Sequence, residues 1–263
     1  MNISVIIPFY HGEEYIEDAV NSVFAQTYAP HEVIIVNDSP SKESKTFLAR
    51  FGGKVEIVNH EKNLGNSHAL NTGIRHCRCE WVAILDQDDL WMPEKLEIQS
   101  DYLKAHPDVD ACHTGLETFS GDVVFARYDE KPLHLQMQDA LMIASILPSA
   151  LLIKKSVLEK IGMFDTNTVS SSDRDLTIRL LREGAKIDFV NQVLTRLRRG
   201  EGDRMTSRWK PMFKGHMYIL RKHFDLFRQY GYVKSYLKWT FLHAAYRAKG
   251  LYRIIFLVLA KIF

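Results

Sequence analysis

Residues 81–89 read WVAILDQDD, an apolar run from Trp81 to Leu85 that ends abruptly in Asp86-Gln87-Asp88-Asp89. Five consecutive apolar residues bounded by polar ones fit a strand buried on both faces, as in a parallel sheet. Two earlier stretches repeat the pattern. Ile3 to Pro8, rich in β-branched residues, leads into Phe9-Tyr10, and Val33 to Val36 leads into Asn37-Asp38-Ser39. Between them the spacing predicts helices near Glu13 to Gln26, with Ile16, Ala19, Val20 and Val23 on one face, and over 42–51 and 66–76. Val55 to Val58 reads as a third strand. Repeated strand–helix units of this length predict an α/β fold with a doubly wound sheet and helices on both faces. Ligands of such sheets gather at the carboxyl ends of the strands, where Tyr10, Asp38 and the aspartate run all fall.

Beyond the aspartates, Pro93 to Ala105 reads as a helix with its proline in the first turn. Two shorter strands are expected around Ser120-Gly121-Asp122, a helix near Gln136 to Ala144 and a strand at Ala150 to Ile153. A helix near Asp173 to Glu183 stops at Gly184, a suitable C-terminal cap.

Three carboxylates within four residues repel one another unless a cation or hydrogen-bond donors share them. An all-oxygen donor set favours a hard divalent cation, Mn²⁺ or Mg²⁺, whose shell is completed by phosphate oxygens. The competing reading is a solvated turn with helix-capping aspartates.

Composition bounds the class. The 263 residues can bury the core of one large domain, with or without an extension. A net charge of +2 hides an uneven distribution. Residues 209–263 hold eleven Lys or Arg and one acid, Asp225; that +10 leaves −8 for residues 1–208. Three cysteines without a framework spacing argue against a disulfide scaffold and for a reducing compartment. Cys77 and Cys79 have no second pair with which to build a structural zinc site. The chain starts directly in a strand-like run, so no secretory leader is expected.

Four segments, in order and spacing, resemble the inverting family-two glycosyltransferases with the GT-A fold, over roughly residues 2–200. They are Val5-Ile6-Ile7-Pro8-Phe9-Tyr10 with the following helix and Thr27-Tyr28, Val33 to Asp38, Asn63-Leu64-Gly65 with Asn71-Thr72-Gly73, and Leu85 to Asp89 followed by Trp91, Pro93 and Lys95. The resemblance implies that Asp38 reads the nucleotide base, with Pro8 and Tyr10 at the edge of the base pocket. Asn63, Gly65 and Asn71 belong to the loop and helix beneath the nucleotide. Asp86 serves the ribose or a metal-bound water, and Asp88 is the direct metal ligand. Asn37-Asp38-Ser39-Pro40 departs from the family's commoner aspartate-glycine-serine turn, and its proline stiffens that turn.

Gly162-Met163-Phe164-Asp165 and Ser172-Asp173-Arg174-Asp175, with Arg179 and Gly184, resemble the family's acceptor-side motif, in which Asp173 is the catalytic base. An aspartate at a helix start is also a good N-cap. Arg196, Arg198, Arg199 and Arg204 surround Gly200-Glu201-Gly202, a loop suited to binding a diphosphate or simply an exposed basic loop.

Fourteen of the 29 aromatic residues lie in residues 209–263, interleaved with the basic ones. That pattern suits a helical segment lying on an anionic membrane surface, while Ile254 to Ala260 is far too short to span one. A cap on the core or a dimer interface would also explain it. The expected organisation is a catalytic domain over 1–208 and a helical, membrane-associating extension over 209–263. The expected activity moves a sugar from a nucleotide-diphosphate donor, a UDP-sugar first, to a lipid-linked or glycan acceptor at the inner face of the cell membrane. No nucleic-acid partner is expected. A sugar nucleotidyltransferase shares a similar sheet, but His11-Gly12-Glu13 lacks its glycine-rich, arginine-containing loop. An inactive binding module is the other alternative, and the joint presence of Asp38, Asp86, Asp88 and Asp173 counts against it.

Overall fold

A computed structural model describes residues 1–142, 146–199 and 208–263. The chain opens with β1 (Ile3–Phe9), α1 (Ile16–Phe24), β2 (Glu32–Asn37), α2 (Lys42–Leu48), β3 (Glu56–Asn59), α3 (Asn66–His76) and β4 (Trp81–Ile84). It continues through β5 (Leu90–Trp91), α4 (Lys95–Ala105), β6 (Ala111–Ser120), β7 (Val123–Tyr128), α5 (Met137–Met142) and β8 (Leu151–Lys154). Then follow α6 (Lys155–Lys160), α7 (Ser172–Arg182), β9 (Ile187–Arg198), α8 (Trp209–Lys222), α9 (Phe224–Gln229), α10 (Val233–Arg247) and α11 (Gly250–Ile262).

Among the described residues the strands form one mixed sheet in the order β3-β2-β1-β4-β8-β6-β9-β5, with β7 added against β6. The pairs among β1, β2, β3 and β4 are parallel, as is β6 with β9; β8 runs antiparallel to both β4 and β6. β1 is buried on both faces along its whole length, which is why its sequence does not alternate. Helix α1 presents Ile16, Ala19, Val20 and Val23 to the core, as the spacing predicts.

The chain path leaves β1 toward β2 on one side and returns through β4 on the other, and this reversal opens a crevice at the strand ends. Pro8 fits that opening. Its parity in the strand is that of Ile6, whose carbonyl accepts from Leu85 on the β4 side. The β4 pairing ends at Ile84, so the N–H that proline lacks is one the sheet does not need.

By packing, the chain falls into two compact units. One unit comprises Met1–Leu135, Ile146–Phe164 and Arg179–Gly200, and it holds the sheet. The second gathers Gln136–Ser145, Asp165–Ile178 and Glu201–Phe263. The last 55 residues are therefore integrated with the start of α7. Within the second unit, the fully buried Asp175 accepts from His223 Nε2 at 2.9 Å and pairs with Lys222 Nζ at 2.7 Å. Arg174 donates to the carbonyls of Ala140 and Leu141 and lies over the rings of Tyr236 and Trp239. Phe241, Ala244, Ala245, Ala248, Phe256 and Ala260 form the apolar seam of α10 and α11.

Candidate active site

The first cluster surrounds Asp38, at the carboxyl end of β2. Its Oδ1 accepts from the Leu64 amide at 2.8 Å and faces His60 Nδ1 at 2.8 Å; its Oδ2 accepts from the Gly65 amide at 2.7 Å. His60 Nε2 in turn meets Thr72 Oγ1 at 3.0 Å. A carboxylate offers about four acceptor positions, so one on Oδ2 is left for a ligand donor. Gly65 has φ +92°, a conformation that side chains resist, and this is what turns its amide toward Asp38 and starts α3. Asn63, in the same loop, is exposed. Asn71 is spent elsewhere: its amide donates to Phe164 O and accepts from Phe164 N, both at 2.8 Å, fixing α3 to that segment.

The second cluster is the aspartate run after β4. Gln87, between the two aspartates of interest, accepts from Tyr10 N at 2.8 Å and donates to Tyr10 O at 3.0 Å. One side-chain amide thus ties the end of β1 to the aspartate loop. An added Cβ at Gly12 would sit 2.3 Å from the Gln87 side chain, so a larger residue there would have to displace that amide from Tyr10. Tyr10 itself is exposed, with its ring edge-on to His11.

Asp89 is buried and points away from solvent. Its Oδ2 accepts from Ser149 Oγ at 2.7 Å and its Oδ1 from Arg198 N at 3.1 Å. The same Ser149 hydroxyl accepts from Asp86 N at 3.1 Å, and the Ser149 carbonyl accepts from Trp91 Nε1 at 2.7 Å. Lys95 lies fully buried beneath, its ammonium 2.7 Å from Gln99 Oε1 and 4.2 Å from the Trp91 ring centroid. Burial pushes its pKa down to about 7. Arg198 donates through Nε to the Asp88 carbonyl at 3.0 Å and through Nη2 to Asp18 at 2.9 Å. Arg196 donates to Glu117 at 2.8 Å. Two of the four arginines that the sequence offered for a diphosphate, Arg196 and Arg198, therefore hold the loop and its surroundings. Arg204 lies outside the described residues.

Burial, with Asp86 and Asp88 alongside, holds the Asp89 carboxyl well above the ordinary carboxylate range. Negative charge is in excess at this strand end. Among the described residues no three His, Cys, Asp or Glu side chains converge as a metal cage. Asp89 is committed to Ser149 and Arg198, and Asp86 and Asp88 stand beside it at the end of β4. One or two carboxylates completed by phosphate oxygens is the donor set Mg²⁺ and Mn²⁺ accept, so the residues fit the ion.

Asp173 belongs to the second unit, in the first turn of α7, partly exposed. Ser171, just before that helix, has φ +64°, a strained value for a non-glycine residue, and its carbonyl accepts from Asp175 N at 3.1 Å. Asp165 anchors the same segment, accepting from Tyr218 Oη at 2.7 Å and Lys222 Nζ at 2.5 Å. With the Asn167 amide, these donors pull its pKa below the ordinary range against the effect of burial.

Ser149, Gln87 and Trp91 are the functional neighbours that sequence reasoning passed over or left without a role. Gln87 was legible as the residue between two aspartates. Ser149 lies 60 residues from Asp89, and nothing local marks it.

Comparison with known proteins places these features. The profile of "Glycosyl transferase family 2" matches residues 4–162. An uncharacterized glycosyltransferase of Rickettsia typhi is 31% identical over 203 residues, covering 74% of this chain and 63% of its own length. The chain thus spans less than two thirds of that relative. A putative teichuronic acid biosynthesis glycosyltransferase of Bacillus subtilis, TuaG, is 28% identical over 79% of this chain and 83% of its own. Among solved structures, S. aureus TarS 1–349 in complex with UDP-GlcNAc superposes with a TM-score of 0.69 at 16% identity, covering 99% of this chain and 88% of TarS 1–349. Pyrobaculum calidifontis mannosyltransferase PcManGT, in complex with GDP-Man and Mn²⁺, gives 0.67 at 19% identity, covering 99% and 86%. The likeness to these two establishes the fold, a GT-A-type mixed sheet with a helical C-terminal region. The family match covers more than half of the sequence, and the chain belongs to glycosyl transferase family 2.

Proposed function

We propose that the protein transfers a sugar, with inversion, from a nucleotide-diphosphate donor to a lipid-linked or glycan acceptor. The observation that carries this reading is the aspartate loop. It is fixed on three sides by Gln87, Ser149 and Arg198, which sets Asp86 and Asp88 at the carboxyl end of β4. A UDP-sugar is the first donor to test, since TarS was captured with UDP-GlcNAc; GDP-Man, captured with PcManGT, is the second.

In this reading Asp38 accepts a hydrogen bond from the base through its remaining Oδ2 position, and Pro8 and Tyr10 border the base. Asn63 and Gly65 line the loop beneath the nucleotide, with Asn71 fixing α3 behind it. Asp88 and Asp86 hold Mn²⁺ or Mg²⁺, which when bound supplies Lewis-acid stabilisation of the leaving diphosphate. Asp173 takes the acceptor hydroxyl's proton as that oxygen attacks the anomeric carbon from the face opposite the leaving group. Its assignment rests on the motif shared with the family. The basic, aromatic residues 209–263 bring the enzyme to the anionic inner face of a membrane, where a lipid-linked acceptor is found. Among the described residues no helix is long and apolar enough to cross a membrane, which fits attachment from one side.

The test is release of nucleoside diphosphate from a panel of nucleotide sugars, with Mn²⁺, with Mg²⁺ and with chelator. Turnover of at least one donor that disappears with chelator is expected. Donor turnover unaffected by chelator would overturn the metal assignment, and pyrophosphate-dependent release of a sugar phosphate would reveal a nucleotidyltransferase.

A further inference from the structure

Within the second unit, α11 has two apolar sides. Phe256 and Ala260 face inward, packed with Phe241, Ala244, Ala245 and Ala248. Leu251, Ile254, Ile255, Val258 and Ile262 are exposed, by 71%, 60%, 41%, 55% and 67%. Their spacing of three, four and seven residues puts them on one stripe, opposite the buried pair. The sequence alone credits the tail's aromatic residues together with the Ile254 to Ala260 run with surface contact, but several of the largest aromatics are internal. Phe227 and Tyr236 are fully buried, and Phe213, Phe241 and Phe256 stack on one another. The outward apolar surface of the tail is therefore concentrated on α11.

The charges around that stripe select its partner. Residues 226–263 contain Arg228, Lys234, Lys238, Arg247, Lys249, Arg253 and Lys261 and no acidic residue. Pairing the stripe with the same stripe of a second copy would set two strongly basic segments against each other, with no carboxylate in residues 226–263 to answer them. An anionic lipid surface answers them all. Thirteen residues make a helix of about 20 Å, against an acyl core of about 30 Å, so it suits the plane of the interface.

We infer that α11 is the element that enters the bilayer, lying in the headgroup region with Leu251, Ile254, Ile255, Val258 and Ile262 in the acyl boundary and Arg253 and Lys261 at the phosphates. This rests on the membrane reading proposed above and narrows it to one helix face.

The experiment uses the full chain and extruded vesicles of phosphatidylglycerol and phosphatidylcholine, with pure phosphatidylcholine as the uncharged control. The unsubstituted chain should sediment with the anionic vesicles. Ile254→Glu/Val258→Glu should lower the partition coefficient about tenfold or more, since burying apolar side chains drives insertion. Phe125→Glu, at an exposed apolar position of β7, should leave it unchanged. A second measurement does not depend on that double variant folding. Ile254→Trp should blue-shift on vesicle addition and be quenched by lipids brominated near the headgroup. Full binding by Ile254→Glu/Val258→Glu, or an Ile254→Trp that lipid does not quench, would overturn the assignment to α11 while leaving membrane attachment standing. No binding by the unsubstituted chain would overturn both. A dimer in light scattering that the same double substitution disperses would give the stripe to a second copy.

Discussion

At the strand ends of the first unit the buried carboxylates Asp38 and Asp89 are answered by backbone amides, a histidine and a serine hydroxyl; in the second unit, the buried Asp175 is answered by Lys222 and His223. Amides and hydroxyls orient a carboxylate without adding a full positive charge. Cations orient it and neutralise it too. The first arrangement orients its two acids without neutralising them, while the second spends Asp175 in holding α7 to α8. Asp173, on the same first turn of α7 as Asp175, is left partly exposed.

The sharpest test of that contrast is Asp88→Ala. Losing the direct ligand should reduce metal-dependent donor turnover by about 10⁴-fold, the several kcal/mol that Lewis-acid stabilisation supplies, with the melting temperature unchanged. Full activity would return the aspartate run to a solvated turn.

Asp173→Asn, which keeps shape and capping capacity, should lower transfer by about 10³-fold, within the range for a lost general base. Donor affinity should be untouched. A collapse of donor affinity with transfer unaltered would give Asp173 a different role.

A smaller effect is expected at Ser149. Ser149→Ala leaves Asp86 N and Asp89 Oδ2 without the hydroxyl that serves both. Apparent Mn²⁺ affinity should fall by about 10–100-fold, as for other groups that orient metal ligands, with stability down by about 1–3 kcal/mol. Unchanged metal affinity in a destabilised variant would make Ser149 a packing residue alone.

Acid lability is also expected of the second unit, through His216. Burial, with Arg174, His243 and Arg247 nearby, pushes His216 down to about 3. The unfolded chain takes up the proton first as pH falls, so this contribution is complete above about pH 6.5 and is lost progressively toward pH 3, about 2 kcal/mol by pH 5. The melting temperature of His216→Asn should vary less between pH 6.5 and 4.5 than that of the unsubstituted protein. Parallel curves would locate the lability elsewhere.

What the sequence disclosed follows the same division. β1, β2, β4 and α3 were legible because strands buried on both faces are written as unbroken apolar runs and α3 is a regular amphipathic stretch. The polar ends of those strands pointed to the aspartate loop. β9 was not legible. Its twelve residues include Asn191, Gln192, Arg196 and Arg198, and they are held by pairing with β6 along one edge more than by their own pattern. Ser149 and the Asp38–His60–Thr72 chain were hidden for another reason: side-chain partners far apart in sequence leave no periodic trace. Within the tail, the charge pattern was visible, but which aromatics face inward depends on how α8, α10 and α11 pack.

Lys95 gives the ground beneath the aspartate loop a chemical clock. With a pKa near 7, much of its amine is unprotonated at neutral pH, whereas an ordinary surface lysine is almost wholly protonated. Yet it is fully buried between Gln99 and Trp91, so an acylating reagent cannot touch it while the core is closed. Exposed lysines should label at once, and Lys95 only as fast as α4 and Trp91 part. Its labelling rate, followed by peptide mass spectrometry, would report how often the support of the aspartate loop opens. A donor and metal that tighten that loop should slow it.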